Sequence, residues 1–173
     1  KTAPAAQAAL LAMGKTADES GLDKEIVELV KLRVSQINNC AFCLQIHLNV
    51  SRKLGIAQEK LDLVATWPEA GIFSERECAA LAWAEALTHL AGHSVSGATY
   101  EAARKHFSES ELVFLSTAIA TINAWNRLGA AFRFAPPIPR MSPPAPACSA
   151  WASRWRSRSC SGSWASSCWW PGG

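Results

Sequence analysis

The chain has 173 residues, of which 49% are apolar and 18% are charged, and its formal net charge is +3. This length suits one compact domain that buries a substantial core. No run approaches 18 consecutive apolar residues, so the sequence favours a soluble protein over a membrane-spanning one. No cationic stretch precedes an apolar run with a small-residue cleavage site, so we expect a cytoplasmic location, where thiols are kept reduced.

The positive charge is concentrated at the C-terminal end. Residues 138–173 hold no acidic residue and four arginines, which are Arg140, Arg154, Arg156 and Arg158. Subtracting these four from the 17 basic residues leaves 13 against 14 acidic residues in 1–137, a net charge of −1. Residues 1–137 therefore lack the positive surface typical of nucleic-acid binding, and we predict neither a nucleic-acid nor a membrane partner.

The composition changes abruptly after Phe134 and predicts two regions. Six prolines between positions 136 and 147 cannot continue a helix, and the residues beyond them are rich in Ser, Trp, Arg and Cys. We predict a helical domain over 1–135 and a disordered or poorly packed extension over 136–173. The extension also has the composition expected of an out-of-frame translation of GC-rich DNA.

The sequence of the first half of the domain predicts helices. Residues 5–13 have high helix propensity, and Asp23 suits an N-cap. An amphipathic helix over 24–37 follows from apolar residues at helical spacing, namely Ile26, Leu29, Val30, Val34 and Ile37.

The next predicted helix carries two cysteines. Asn39 is expected to cap a helix that opens on Cys40 and continues to Leu54, where Gly55 supplies a C-terminal stop. A shorter helix over 57–66 should end before the proline at position 68.

Two capping boxes predict the remaining long helices. The segments that begin at Ser74 and Ser108 each place a glutamate three residues later, so we predict a helix to about residue 90 and another to about residue 131. A turn-rich helix should lie between them at 97–106. No segment alternates like a strand for long, and the fold class is predicted to be all-α.

The segment Cys40-Ala41-Phe42-Cys43 contains the residues that point to chemistry. On a helix that begins near Cys40, Cys43 follows at i+3 and His47 at i+7, so all three share one face. Unpaired backbone N–H groups at the helix N-terminus, and a nearby histidine, can lower the pKa of a thiol. The spacing therefore predicts thiol–disulfide redox chemistry.

Other interpretations of the same residues stay open. The pair could be half of a zinc site, with a further ligand drawn from Cys78, His89 or His93, or it could be two inert core cysteines. Taken alone, His47 could have only a packing role. Glu28 lies near the polar side of its helix and, without a partner, would be a solvated charge.

The spacing of Glu28, Cys40, Cys43 and His47 resembles a family signature. It matches the E-x11-C-x2-C-x3-H pattern of the alkylhydroperoxidase D-like branch of the carboxymuconolactone decarboxylase family, over roughly residues 22–134. The resemblance implies an all-α subunit of six to seven helices that forms trimers or hexamers, with active sites near subunit interfaces. It also implies hydroperoxide reduction without metal, flavin or haem.

The resemblance assigns a role to each matched residue. Cys43 would be the peroxidatic cysteine and Cys40 the resolving cysteine, with His47 and Glu28 as a proton relay. The implied reductant is a lipoylated or thioredoxin-like dithiol protein. Family members of the classical type carry a histidine just before the second cysteine, where this chain has Phe42.

Two other functions are compatible with the scaffold. One is a non-catalytic redox sensor or a general disulfide oxidoreductase that uses the same cysteine pair. The other is non-redox chemistry of the decarboxylase type, although that branch of the family lacks the two cysteines.

Overall fold

A computed structural model describes residues 3–138 of the chain. The first three helices are α1 (Pro4–Asp18), α2 (Lys24–Ile37) and α3 (Ala41–Leu54). Two short segments, α4 (Gln58–Leu63) and α5 (Trp67–Ala70), are joined by a 3-10 turn at Val64–Thr66. The last three helices are α6 (Glu75–Thr88), α7 (Gly97–His106) and α8 (Glu109–Ala131).

The prediction of an all-α fold is confirmed. Within residues 3–138 there are seven helices of six residues or more, one four-residue helical turn and no strand. None of these helices is both long and apolar enough to cross a membrane. The predicted extension over 136–173 lies almost wholly outside the described residues.

Side-chain caps begin the helices where the sequence predicts them. Asp23 accepts a hydrogen bond from the backbone N–H of Glu25 at 2.8 Å and starts α2. Ser74 and Ser108 each form a complete capping box, in which the serine hydroxyl and the glutamate three residues later each accept a backbone N–H. The N-termini of α2, α6 and α8 are therefore determined locally.

Two predicted boundaries differ in detail. The helix expected over 57–66 ends before Pro68 as predicted, but it is α-helical only to Leu63 and continues as a 3-10 turn to Thr66. Pro68 lies in the first turn of the next short helix. Proline is tolerated there because the first helical positions need no backbone N–H donor. The 97–106 segment is a regular helix that begins at the cap of Ser96, not a turn-rich one.

The predicted capping role of Asn39 is wrong. Asn39 adopts the left-handed conformation with φ +52°, which asparagine tolerates better than most residues. Its N–H bonds to the carbonyl of Gln36, and the N–H of Cys40 bonds to that of Ser35, the pattern of a Schellman motif. Asn39 therefore ends α2, and Cys40 is the N-cap of α3.

Helix α2 is central to the fold because it packs against α3, α6 and α8. Its side chains enter two apolar clusters, since Val30 and Val34 join the larger one while Leu29 and Leu32 join the smaller one. Helix α1 packs mainly along α8 and buries only Ala17. The cysteine pair is part of the larger cluster.

We predict that Ser108→Ala lowers the free energy of unfolding by about 1 kcal/mol, because α8 loses its N-terminal capping box. Chemical denaturation measures this change. Ser110→Ala alters an exposed serine in the same helical turn and should change stability by less than about 0.5 kcal/mol. Equal effects of the two substitutions would contradict the capping role.

Candidate functional site

The two cysteines lie at the start of α3, with both side chains 3% exposed. Cys40 Sγ accepts a hydrogen bond from the backbone N–H of Cys43 at 3.4 Å, so a sulfur atom caps the helix. Both are free thiols in the described structure. The Schellman turn before α3 and the cap at its first turn therefore hold the two sulfurs together.

Glu28 lies on the buried side of α2, contrary to the interpretation of a solvated charge. Its carboxylate accepts from His47 Nδ1 at 2.7 Å and from Lys31 Nζ at 3.0 Å. Burial alone would raise the pKa of Glu28, but the hydrogen bond and charge of His47, together with Lys31, hold it below its ordinary value. Glu28 is therefore an ionised carboxylate that orients the His47 ring.

A cavity of about 420 Å³ opens beside Cys43. Its walls come from α1, α3 and α8 together with Lys31 of α2, and they are largely apolar, with side chains such as Leu10, Ile46 and Trp125. His47 and Cys43 both line it, whereas Cys40 does not. The cavity has the size of a small-molecule site, and one sulfur of the pair faces it.

The pKa of Cys43 departs from what its position at the helix start predicts. Burial is the largest of the influences that raise the pKa of the Cys43 thiol to about 12, and the neighbouring Cys40 also raises it. The burial of Cys43 therefore opposes the thiolate stabilisation expected from the first turn of α3. The first-turn N–H of Cys43 is directed to the sulfur of Cys40 instead.

Helix α8 approaches the sulfurs at Gly129. A Cβ atom at this position would lie 2.8 Å from Cys40 Sγ and 3.5 Å from Cys43 Sγ. Real Cβ atoms do not come so close to a sulfur, so only glycine permits this approach. The backbone of α8 therefore covers the cysteine pair at Gly129.

The segment after α8 folds back over the same place. Arg133 adopts φ +53°, and the N–H of Phe134 bonds to the carbonyl of Gly129, so a second Schellman turn ends α8. Phe134 then meets Phe42 edge to face, with ring centroids 5.3 Å apart. An aromatic pair therefore occupies the position where the resembled family carries a histidine.

Comparisons with known proteins agree with this architecture. A protein-family model described as the carboxymuconolactone decarboxylase family matches residues 4–86. The uncharacterised protein YdfG of Bacillus subtilis is 34% identical over 129 residues, which cover 75% of this chain and 88% of YdfG. The chain belongs to the carboxymuconolactone decarboxylase family. The resemblance inferred from the sequence is confirmed.

Two solved structures share the fold of this chain. A protein of unknown function from Agrobacterium tumefaciens, proposed to be the antioxidant defence protein AhpD, is 37% identical with a TM-score of 0.78, over 80% of this chain and 95% of that one. An alkylhydroperoxidase AhpD core from Ralstonia eutropha, an uncharacterised peroxidase-related protein, is 26% identical with a TM-score of 0.65, over 74% and 68%.

The structure brings all four predicted site residues of this family member into one region. Glu28 bonds to His47, His47 lines the cavity with Cys43, and Cys43 bonds to Cys40 through its backbone. Among residues 3–138 no three His, Cys, Asp or Glu side chains cluster as metal ligands would. The described residues therefore offer the zinc interpretation no complete ligand set.

Sequence reasoning missed several residues of the site. Lys31 is a second partner of Glu28, Gly129 contacts the sulfurs, and Asn126 bonds to the turn before α3. An asparagine and a glycine within one apolar helix are visible in the sequence. The groups that they approach cannot be read from it, because α8 lies far along the chain from the turn between α2 and α3.

We predict that Gly129→Ala lowers the free energy of unfolding by about 1–3 kcal/mol, since the added methyl group displaces Cys40 Sγ. Alanine elsewhere within a helix normally stabilises by up to about 1 kcal/mol relative to glycine. Gly14→Ala is the matched control, because its Cβ meets only Thr121 Cγ2 at 3.7 Å. Denaturation curves that shift in the same direction for both variants would contradict the close approach.

We predict that ionised Glu28 stabilises the fold at neutral pH. A pKa below the ordinary value of 4.5 means that the folded state binds fewer protons than the unfolded state, so this stabilisation is present above the unfolded pKa and lost as pH falls through the folded pKa. Glu28→Gln should lower the unfolding free energy at pH 7 by about 2 kcal/mol and flatten its acid dependence. The exposed residue Glu59, changed to Gln, provides the control. If the unfolding free energy of Glu28→Gln falls with decreasing pH as it does in the wild type, the stabilising role of the ionised Glu28 carboxylate is contradicted.

Proposed function

We propose that this chain reduces hydroperoxides by a dithiol–disulfide cycle of Cys40 and Cys43. The observation that carries the proposal is the placement of Cys43 and His47 on the wall of one apolar cavity, while Cys40 contacts Cys43 from outside that wall. Membership of the carboxymuconolactone decarboxylase family and the peroxidase-related names of the relatives support it. The apolar walls favour an organic hydroperoxide.

The first step requires a base. Because the pKa of Cys43 is raised by burial, its thiol is largely protonated at neutral pH and must lose a proton as it attacks. His47 is the candidate base, since its Nδ1 is held by Glu28 and its Nε2 remains to accept a proton. The ionised Glu28 would stabilise the imidazolium that forms.

The thiolate of Cys43 then attacks the terminal oxygen of the hydroperoxide. The S–O bond forms as the O–O bond breaks, and His47 returns the proton to the departing alkoxide. The products are a sulfenic acid on Cys43 and an alcohol, so the peroxide gains the two electrons that the sulfur loses. The imidazole thereby acts first as a base and then as an acid.

Resolution involves the second sulfur. Cys40 attacks the sulfenic sulfur of Cys43, a disulfide forms and water leaves. A dithiol protein, lipoylated or thioredoxin-like, would reduce this disulfide and become oxidised itself. Such a reductant is available in a cytoplasm, where thiols are kept reduced. We also propose that the chain assembles into a trimer or hexamer, as the family resemblance implies.

Phe42 distinguishes this chain from family members of the classical type. The ring lines the cavity and packs against Phe134, so it adds apolar surface where a histidine would add a proton carrier. Proton transfer in this site is therefore assigned to His47 and Glu28. We accordingly expect the rate of hydroperoxide reduction to depend strongly on His47.

One equivalent of cumene hydroperoxide should remove two thiols per chain and yield a Cys40–Cys43 disulfide, detected by thiol titration and peptide mass spectrometry. Cys43→Ser should abolish this loss, whereas Cys40→Ser should leave a sulfenic acid on Cys43 that dimedone traps. Cys78→Ser is the control and should behave as the wild type, because Cys78 does not line the cavity. His47→Ala should slow the oxidation by about 100-fold near neutral pH.

Two outcomes would decide against the proposal. If no thiol is lost in the wild type, redox chemistry at this site is excluded. If the disulfide forms but neither dihydrolipoamide nor thioredoxin supports turnover, the pair acts as a redox sensor rather than a catalyst. An unchanged pH profile in His47→Ala would reduce His47 to a packing role.

A further inference from the structure

The two sulfurs of the cysteine pair differ in what can reach them. Cys43 lines the apolar cavity of about 420 Å³, whereas Cys40 does not. Cys40 Sγ lies instead against the backbone of α8, where a Cβ atom at Gly129 would be only 2.8 Å away. Both side chains are 3% exposed, so neither sulfur can be reached from the open surface. A molecule that enters the cavity therefore meets Cys43 and not Cys40.

The turn that follows α8 adds to the cover beside Cys40. The N–H of Phe134 bonds to the carbonyl of Gly129, and the Phe134 ring lies 4.0 Å from the Cβ position of Gly129. The same ring packs edge to face on Phe42. A thiol of another protein could approach Cys40 from this direction only if the turn opened.

The chemistry of disulfide reduction favours the same sulfur. When a thiolate attacks a disulfide, one sulfur accepts the new bond and the other leaves as a thiolate, and the reaction is faster when the leaving thiolate is more stable. Cys40 Sγ accepts the backbone N–H of Cys43 at 3.4 Å at the positive end of α3, which stabilises negative charge on Cys40. Burial raises the pKa of Cys43, so Cys43 is the poorer leaving group.

We propose that the reductant enters the same cavity as the hydroperoxide and attacks Cys43 of the oxidised pair, so that Cys40 contacts neither substrate. The inference rests on the proposed dithiol–disulfide cycle and assigns the place where its second substrate binds. The partner must therefore carry its thiol on a projecting loop or arm that fits a small apolar cavity, and not on a flat surface.

Electrons and protons balance over two thiol exchanges. The first reductant thiolate forms a bond to Cys43 Sγ as the Cys40–Cys43 bond breaks, and Cys40 leaves with the bonding electrons and takes up a proton. The second reductant thiol then attacks its partner sulfur in the mixed disulfide, and Cys43 leaves and takes up the second proton. The cysteine pair has gained two electrons, and the reductant has become a disulfide. His47 lines the cavity and is the candidate base for the incoming thiol.

The first test locates the mixed disulfide and needs no hydroperoxide. The full chain is oxidised with diamide, mixed briefly with 2-mercaptoethanol, and quenched at low pH with N-ethylmaleimide. Both cysteines lie in the tryptic peptide over 34–52, and fragmentation between them assigns each label by mass spectrometry. We expect mercaptoethanol on Cys43 and maleimide on Cys40 in about tenfold excess over the reverse labelling, which requires a barrier difference of about 1.4 kcal/mol.

Equal labelling of the two sulfurs, or an adduct mainly on Cys40, would overturn the inference. Because diamide forms the disulfide without a hydroperoxide, that result would leave the hydroperoxide reaction untouched. If diamide forms no Cys40–Cys43 disulfide, the inference falls together with the proposed cycle. If the chain fails to reduce hydroperoxides, the proposed function is contradicted while the position of the adduct is still measured.

The second test asks whether the two substrates share one cavity. Leu11→Trp enlarges an exposed side chain that lines the cavity, and the matched control Leu63→Trp makes the same change on α4, outside it. We expect Leu11→Trp to slow both thiol loss with cumene hydroperoxide and reduction of the diamide-formed disulfide by dihydrolipoamide, each by about tenfold. Leu63→Trp should change neither rate. Disulfide reduction at the wild-type rate in Leu11→Trp would mean that the reductant enters elsewhere and would overturn the inference.

Discussion

Side-chain amides hold the turn between α2 and α3 against α8. Asn38 donates to both Asn123 and Asn126, which lie 85 and 88 residues later in the chain. Because Asn123 and Asn126 are buried, each hydrogen bond is worth more than in water, and a missing partner would cost about 1–3 kcal/mol. The bonds therefore set the distance between α8 and the turn, and with it the place of the sulfurs beside Gly129.

A second constraint is the buried carboxylate on α2. Glu28 is stable there because Lys31 provides a compensating charge and both Lys31 and His47 donate hydrogen bonds, which outweigh the desolvation of the carboxylate. The hydrogen bond between Glu28 and His47 joins α2 to α3 through polar atoms beside an apolar core. It also fixes the tautomer and orientation of His47, whose other nitrogen remains for chemistry.

The electrostatics of the cysteine pair combine opposing influences. Burial raises the pKa of Cys43, while the N–H at the start of α3 is directed to Cys40. A thiol in such a site is protected from indiscriminate oxidation, since the thiolate is the species that reacts. In the proposed cycle, activation therefore depends on a base that acts when the substrate is bound, and His47 is the candidate.

The all-α fold, the N-terminal caps of α2, α6 and α8, and the spacing of the four signature residues could all be predicted from the sequence. These features depend on neighbours within one or two helical turns, so a local pattern contains them. Only the contacts between helices determine which sulfur faces the cavity, that Glu28 is buried, that burial raises the pKa of Cys43, and that Gly129 lies beside the cysteines. Those outcomes depend on desolvation and on contacts between distant helices, neither of which a linear pattern expresses.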